Sequence, residues 1–190
     1  MKPADLTRQR LVRAALELFT TQGYHATTTP HIARKAGIAE GTIYRHFVGK
    51  QQLLNELYRG AARWAVQLVR QADSGPSAAR ERLTRLAELL VEGAGREPAV
   101  VRLFFFQDVA GLLDEASNKS GREFRGALET LVAQGKSEGT VRAGGVDVLA
   151  AAWLGVMRVA LERILVREWG AGSSGVRLCA EAAWDAIKAG

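Results

Sequence analysis

The chain has 190 residues, 47% of them hydrophobic, enough for a sizeable core in one large or two small domains. Its formal net charge of +6 is uneven: residues 1–50 carry eight basic groups against three acidic ones, which leaves the remainder close to neutral. A single cysteine, Cys179, excludes an internal disulfide and fits a reducing cytoplasm, and the most apolar run, Val148 to Met157, is too short to span a bilayer.

Almost the whole chain reads as helix, because Ala, Leu, Arg and Glu dominate and β-branched alternation is absent. A first helix is expected over about Thr7 to Gln22, with Leu11, Ala15, Leu18 and Phe19 on one stripe. Gly23 ends it. Thr29 can then act as an N-cap, Pro30 fits the first helical position, and Gly37 suits the left-handed turn past a helix end. These three residues predict a two-turn helix over Pro30–Ala36. Ile38 plugs the turn, and a second short helix is expected from Glu40 to Phe47, with Ile43 and Phe47 facing Ile32, Ala33 and Ala36. Thr42, Tyr44, Arg45 and His46 point elsewhere, the division of labour a recognition helix needs. A fourth helix, Lys50 to Asp73, has apolar residues on more than one face, so its start packs on this head and its far part on a body. After a break at Asp73–Ser77, helices are expected over Ser77–Glu92, Pro98–Val109, Leu113–Ser137, Val146–Trp169 and Val176–Lys188. The eighth is apolar around most of its circumference, which predicts burial against the core on one side and a partner copy on the other.

The N-terminal quarter resembles the TetR-like family of transcriptional repressors. The resemblance runs from about Thr7 to Leu54. It is carried by Ala14-Ala15-Leu16-Glu17-Leu18-Phe19, Gly23-Tyr24, Thr28, Ile32-Ala33, Ala36-Gly37, Gly41-Thr42-Ile43-Tyr44, His46-Phe47, Lys50 and Leu53. Ala39 and Gly49 stand where the family commonly has a polar cap, and Pro30-His31 replaces a polar-acidic pair. The resemblance implies nine helices, three in the head, a connecting fourth and five in the body. It also implies an effector pocket in the body and a homodimer sealed by the last two helices. Two-fold symmetry would then set the recognition helices about 34–36 Å apart, one turn of duplex.

The expected architecture is therefore all-α, with a helix-turn-helix DNA-binding head over 1–49 and a ligand-binding and dimerisation body over 50–190. In the head, Glu40, Gly41, Thr42 and Arg45 are candidates for base edges: Arg45 to guanine, Thr42 to a thymine methyl, Gly41 for close backbone approach. Thr28, Tyr44, His46 and Lys50 are candidates for phosphates, Lys50 together with the free N–H groups at the start of the fourth helix. Plain structural roles stand beside these: a half-buried Tyr44, a His46 that caps a helix end, a solvated Arg45.

In the body, Leu103-Phe104-Phe105-Phe106 is too continuous for a helix with one wet face. Trp64, Phe104, Phe105, Trp153 and Met157 are candidates for an effector pocket, with Gln107, Arg102 or Arg158 fixing a polar group; for any one of them a place in the core or dimer interface is the commoner role. No cofactor is expected. All three histidines lie in the head, so the body has no histidine base and no His/Cys metal cluster. The glycine run Gly170 to Gly175 follows a helix, not the strand a dinucleotide loop requires. The expected function is a repressor released from a palindromic operator in duplex DNA by a small apolar or aromatic effector. The alternatives are an activator or nucleoid-associated protein without small-molecule control and, more remotely, a carrier or enzyme with a basic end.

Overall fold

The apolar stripes of the sequence become helices in the computed structural model, which describes residues 3–75 and 77–190. In chain order these are α1 (Pro3–Thr21), α2 (Thr29–Lys35), α3 (Glu40–Ile43), α4 (Lys50–Ala72), α5 (Ala79–Arg96), α6 (Pro98–Phe105), α7 (Glu115–Ser137), α8 (Val146–Leu165) and α9 (Ser174–Asp185). A 3-10 turn, Ala110–Leu112, lies between α6 and α7. No strand occurs among the described residues, and no helix among them is long and apolar enough to cross a membrane.

Cap chemistry moves several boundaries from where the sequence pattern put them. Thr28, not Thr29, caps α2: its backbone is extended and its hydroxyl accepts from the His31 N–H at 3.3 Å. At the other end Gly37 takes φ +67, Ile38 N–H donates to Ala33 at 3.0 Å and Gly37 N–H to Arg34 at 3.1 Å. That pair of bonds is the Schellman closure, and it needs a residue tolerant of the left-handed region. α3 keeps one turn only. Ala39 offers no side-chain cap, and Arg45 and His46 donate three residues back, which tightens Tyr44–Phe47 into a turn in place of the predicted second helical turn. α6 stops at Phe105, where the Gln107 N–H reaches back to Arg102 and the chain swings away.

Two cores result. The first joins Leu11, Leu18, Phe19, Ile32, Ile43 and Phe47 of the head with Leu53, Leu54 and Leu57 of α4, and it also takes in Leu103 and Val109. The second fills the body with Leu83, Leu86 and Leu90 of α5, Phe124, Leu128 and Leu131 of α7, and Trp153, Met157 and Leu161 of α8. α6 serves both: Val101 and Phe105, one turn apart, belong to the body core, while Leu103 between them belongs to the head core. The head is thus gripped by α4 and, on another side, by α6. Each fully buried leucine contributes about 1.5–3 kcal/mol, so Leu103 is a substantial link.

Polar clamps close the body at its far end. Buried Arg82 of α5 donates to Glu138 after α7 and to the Ser77 carbonyl. Glu138 also accepts from the Ala79 N–H at 2.9 Å, capping α5 from a distance because Ala78 cannot. The C-terminus is stapled by two backbone bonds, Arg142 N–H to Ile187 at 3.0 Å and Ala189 N–H to Thr140 at 2.9 Å.

Candidate functional site

α2 and α3 meet at the Gly37 turn and bury Ile32, Ala33, Ile43 and Phe47 inward. The polar side chains of the second element lie away from that core. Glu40, Gly41, Tyr44 and Arg45 are exposed, while Thr42 and His46 are half-buried. Tyr44 shows 60% of its surface, far more than a folded domain normally leaves to an aromatic without a partner. A Cβ on Gly41 would meet nothing within 4 Å, so this edge is open to close approach. Val48, 88% exposed beside the same turn, is an apolar side chain that the sequence pattern did not single out, because one valine in a loop carries no periodic signal.

Two predicted phosphate ligands are already engaged within the chain. Thr28 is the α2 cap. The Lys50 ammonium donates to the carbonyls of Tyr24 at 3.0 Å, His25 at 3.4 Å and Thr27 at 2.9 Å, and lies 4.3 Å from the centre of the Tyr24 ring. Lys50 therefore ties the start of α4 to the loop between α1 and α2, leaving it without a free ammonium to extend toward solvent. The head is held to α4 a second time by the Arg8–Glu56 ion pair, with the Arg8 guanidinium 5.1 Å from the Phe47 ring centre. Gly49 gives α4 no side-chain cap, but the Gln52 side chain accepts from the Val48 N–H at 2.7 Å.

The body candidates are not gathered around one cavity. Phe104 and Phe105 stack edge-on against each other and against Phe124, and Phe104 also meets Tyr58 at 5.4 Å. Trp153 is sealed in the core, and Trp64 lies against Gly93 of α5 so closely that a Cβ there would overlap its ring. Arg158 is exposed over the Phe106 ring at 5.1 Å, and Gln107 sits in the exit turn of α6. Aromatic rings fill the interior where the sequence suggested a pocket. The open space lies elsewhere. A cavity of about 720 Å³ opens between α5, α8 and α9, and of the predicted residues only Met157 lines it. A cleft of about 470 Å³ lies between α1, α4 and the start of α6, with Trp64 on its wall.

α8 and α9 carry the remaining unpartnered surface. Val148, Ala151, Gly155 and Val159 form an exposed stripe at helical spacing on α8, and Leu178 and Ala182 form another on α9. Val148 and Leu178 are 64% and 66% exposed.

Nine helices among the described residues, with a short helix-turn-helix at the basic end, define a DNA-binding regulator class. The family model for bacterial regulatory proteins of the tetR family matches residues 11–57. Over 175 residues the chain is 30% identical to the HTH-type transcriptional regulator TcmR of Streptomyces glaucescens, covering 86% of this chain and 73% of that one. The chain belongs to the TetR family, whose members are transcriptional regulators and not enzymes. Higher identity runs over a shorter stretch: 51% over 51 residues to the HTH-type transcriptional regulator SrpR of Pseudomonas putida, 27% of this chain and 24% of that protein. The chain thus matches about a quarter of SrpR. A tetR-family transcription regulator from Shewanella sp. PV-4 shares the fold with a TM-score of 0.80 over 97% of this chain and 99% of that one, at 22% identity.

Proposed function

We propose that this chain is a homodimeric, ligand-responsive repressor that binds a palindromic operator through α3 and the turn that follows it. The head, residues 1–49, reads the duplex. The body, residues 50–190, holds the effector and pairs two copies. One observation carries this reading above the others: Tyr44 and Arg45 stand exposed on a turn whose opposite face is locked into the head core. In that setting Arg45, Thr42, Glu40 and Gly41 address base edges, while Tyr44 and His46 address phosphates. Thr28 acts by fixing the start of α2, whose free N–H groups face the backbone of the duplex. Lys50 acts by holding the α1–α2 loop in place.

The dimer is built from the exposed stripes on α8 and α9. Small and β-branched residues, Val148, Ala151, Gly155 and Val159, allow two α8 helices to approach closely. An effector favours a body conformation in which the two heads no longer match one turn of duplex, and its differential affinity for the two states supplies the driving energy. Because Leu103 is shared with the head core, α6 transmits that change along with α4.

Selection of bound sequences from a random duplex pool tests the reading. Recovery of one palindrome with half-sites a helical turn apart supports it. Scattered sites without symmetry would point to a nucleoid-associated role, and absence of salt-dependent DNA binding would remove the DNA reading altogether.

A further inference from the structure

The cavity between α5, α8 and α9 is a built groove, and its position and charge differ from what the aromatic cluster suggested. Its α5 wall is one helical stripe running from Arg80 to Glu92, about 18 Å at 1.5 Å per residue. α9 lies antiparallel along it. Ile187, just past α9, pairs with Arg142; Val141 and Ala79 both press on Gly135, so the end of α9 sits at the start of α5. Trp184 therefore flanks the Arg80 end of the groove, and Val176 flanks the Glu92 end. The floor is apolar: Ala87, Val91, Met157 and Val176 are buried, with Ala180 and Trp184 half-buried beside them.

The rim charges decide what fits. Glu88 pairs with Arg85 at 3.4 Å and Glu92 with Arg96 at 2.7 Å, and both arginines lie outside the groove. Arg177 is turned to the Gly172 carbonyl at 2.7 Å. Arg80 has no hydrogen-bond or ion-pair partner among the described residues, and Thr84 stands one turn from it on the same wall. Among the described residues Glu181 has no hydrogen-bond or ion-pair partner either, whereas Glu88 and Glu92 are neutralised from outside.

From this geometry we infer that the groove binds an elongated amphipathic anion, an apolar body with one carboxylate or similar acidic end, the acid seated on Arg80 and Thr84. The inference rests on the effector-controlled reading above and gives that effector a site and a chemical class. The occupant lies against one face of α9, while the opposite face carries Leu178 and Ala182. It therefore moves the proposed dimer surface directly. Glu181 opposes the anion and limits its affinity, so neutralising that residue strengthens binding.

Decanoate, decanol and decylamine, each below its micellar concentration, serve as probes, titrated calorimetrically into the full chain. Decanoate is expected to bind about tenfold or more tightly than the other two, as one charge-assisted contact implies. Arg80→Ala is expected to remove that preference while leaving decanol binding unchanged, and Glu181→Gln to strengthen decanoate binding. Ala180→Trp, which fills the groove, is expected to abolish binding of all three probes. Equal binding of the three, or decanoate binding indifferent to both Arg80→Ala and Glu181→Gln, overturns the inference; these two surface variants decide the matter even if Ala180→Trp does not fold. Affinity for the selected duplex is measured on the same samples. A chain that binds its duplex but takes up no decanoate sinks the groove alone. One that takes up decanoate with this charge preference but binds no duplex keeps the groove and sinks the DNA reading.

Discussion

Asn55 of α4 and Asp114 at the start of α7 are joined across the seam between these two helices: the Asn55 carboxamide oxygen accepts from the Asp114 N–H at 2.7 Å. The same side chain donates to the carbonyls of Leu112 at 3.2 Å and Gln51 at 2.9 Å. Asp114 in turn caps α7 through the Ser117 N–H at 2.8 Å, and Arg59 reaches both Asp114 and the Ser117 hydroxyl. Asn55 is only 3% exposed, so water cannot replace what it supplies. Asn55→Ala leaves the Asp114 N–H without its partner, while the Leu112 carbonyl keeps the Gln51 side chain at 3.2 Å, and is expected to cost about 1–3 kcal/mol, read from the urea midpoint. A loss below about 0.5 kcal/mol, the usual range of neutral surface changes, would show that this seam is not tied through Asn55.

Lys50 offers a separate test, because its two possible roles leave different traces. Lys50→Met removes the donor to the Tyr24, His25 and Thr27 carbonyls. Faster amide exchange around Thr27 to His31 is expected, with the salt dependence of DNA binding unaltered. A direct phosphate contact would instead lower the slope of log K against log salt by about one.

Glu138 gives the fold a pH dependence of defined sign. The Arg82 guanidinium, and then the Ala79 N–H, hold its carboxyl below the ordinary 4.5. A carboxylate with a lowered folded-state pKa stabilises the fold above its unfolded value and loses that contribution as pH falls through the folded one. The gap in urea midpoint between wild type and Glu138→Gln is therefore expected to shrink as pH drops from 7 to below 4. A gap constant over that range would contradict the clamp.

Helices were legible in the sequence because each carries an apolar stripe at helical spacing, and the head because Pro30 and Gly37 punctuate α2, although the cap itself falls on Thr28, one residue before the Thr29 that the pattern suggested. The length of α3 was not. Ile43 and Phe47 share a face in a helix and also in the tighter turn that replaces its second half, so the pattern does not separate the two. The partners of Lys50 were hidden for a different reason: they are backbone carbonyls, present at every position and marked by none. The groove was hidden because a cavity is what side chains fail to fill. Phe104 and Phe105 looked like pocket walls, but Phe124, some twenty positions on, turns out to close the space between them.

Gly155 separates the dimer proposal from ordinary folding effects. A Cβ at this exposed position on α8 meets nothing within 4 Å of the single chain, so Gly155→Arg is harmless to the monomer. In the proposed interface it places a charge between two closely approached helices. The variant is expected to sediment as a folded monomer and to lose on the order of a hundredfold in duplex affinity, the part that pairing two heads contributes. A Gly155→Arg chain that remains dimeric would move the interface off this stripe.

The central claim is that α3 and the turn after it read duplex DNA. It is tested most directly by measuring, across a range of salt, the affinity of wild type, Tyr44→Ala and Arg45→Ala for the selected duplex. Each substitution is expected to weaken binding by about 1–3 kcal/mol while leaving oligomeric state and thermal stability intact. Unchanged affinity in both variants would contradict the account.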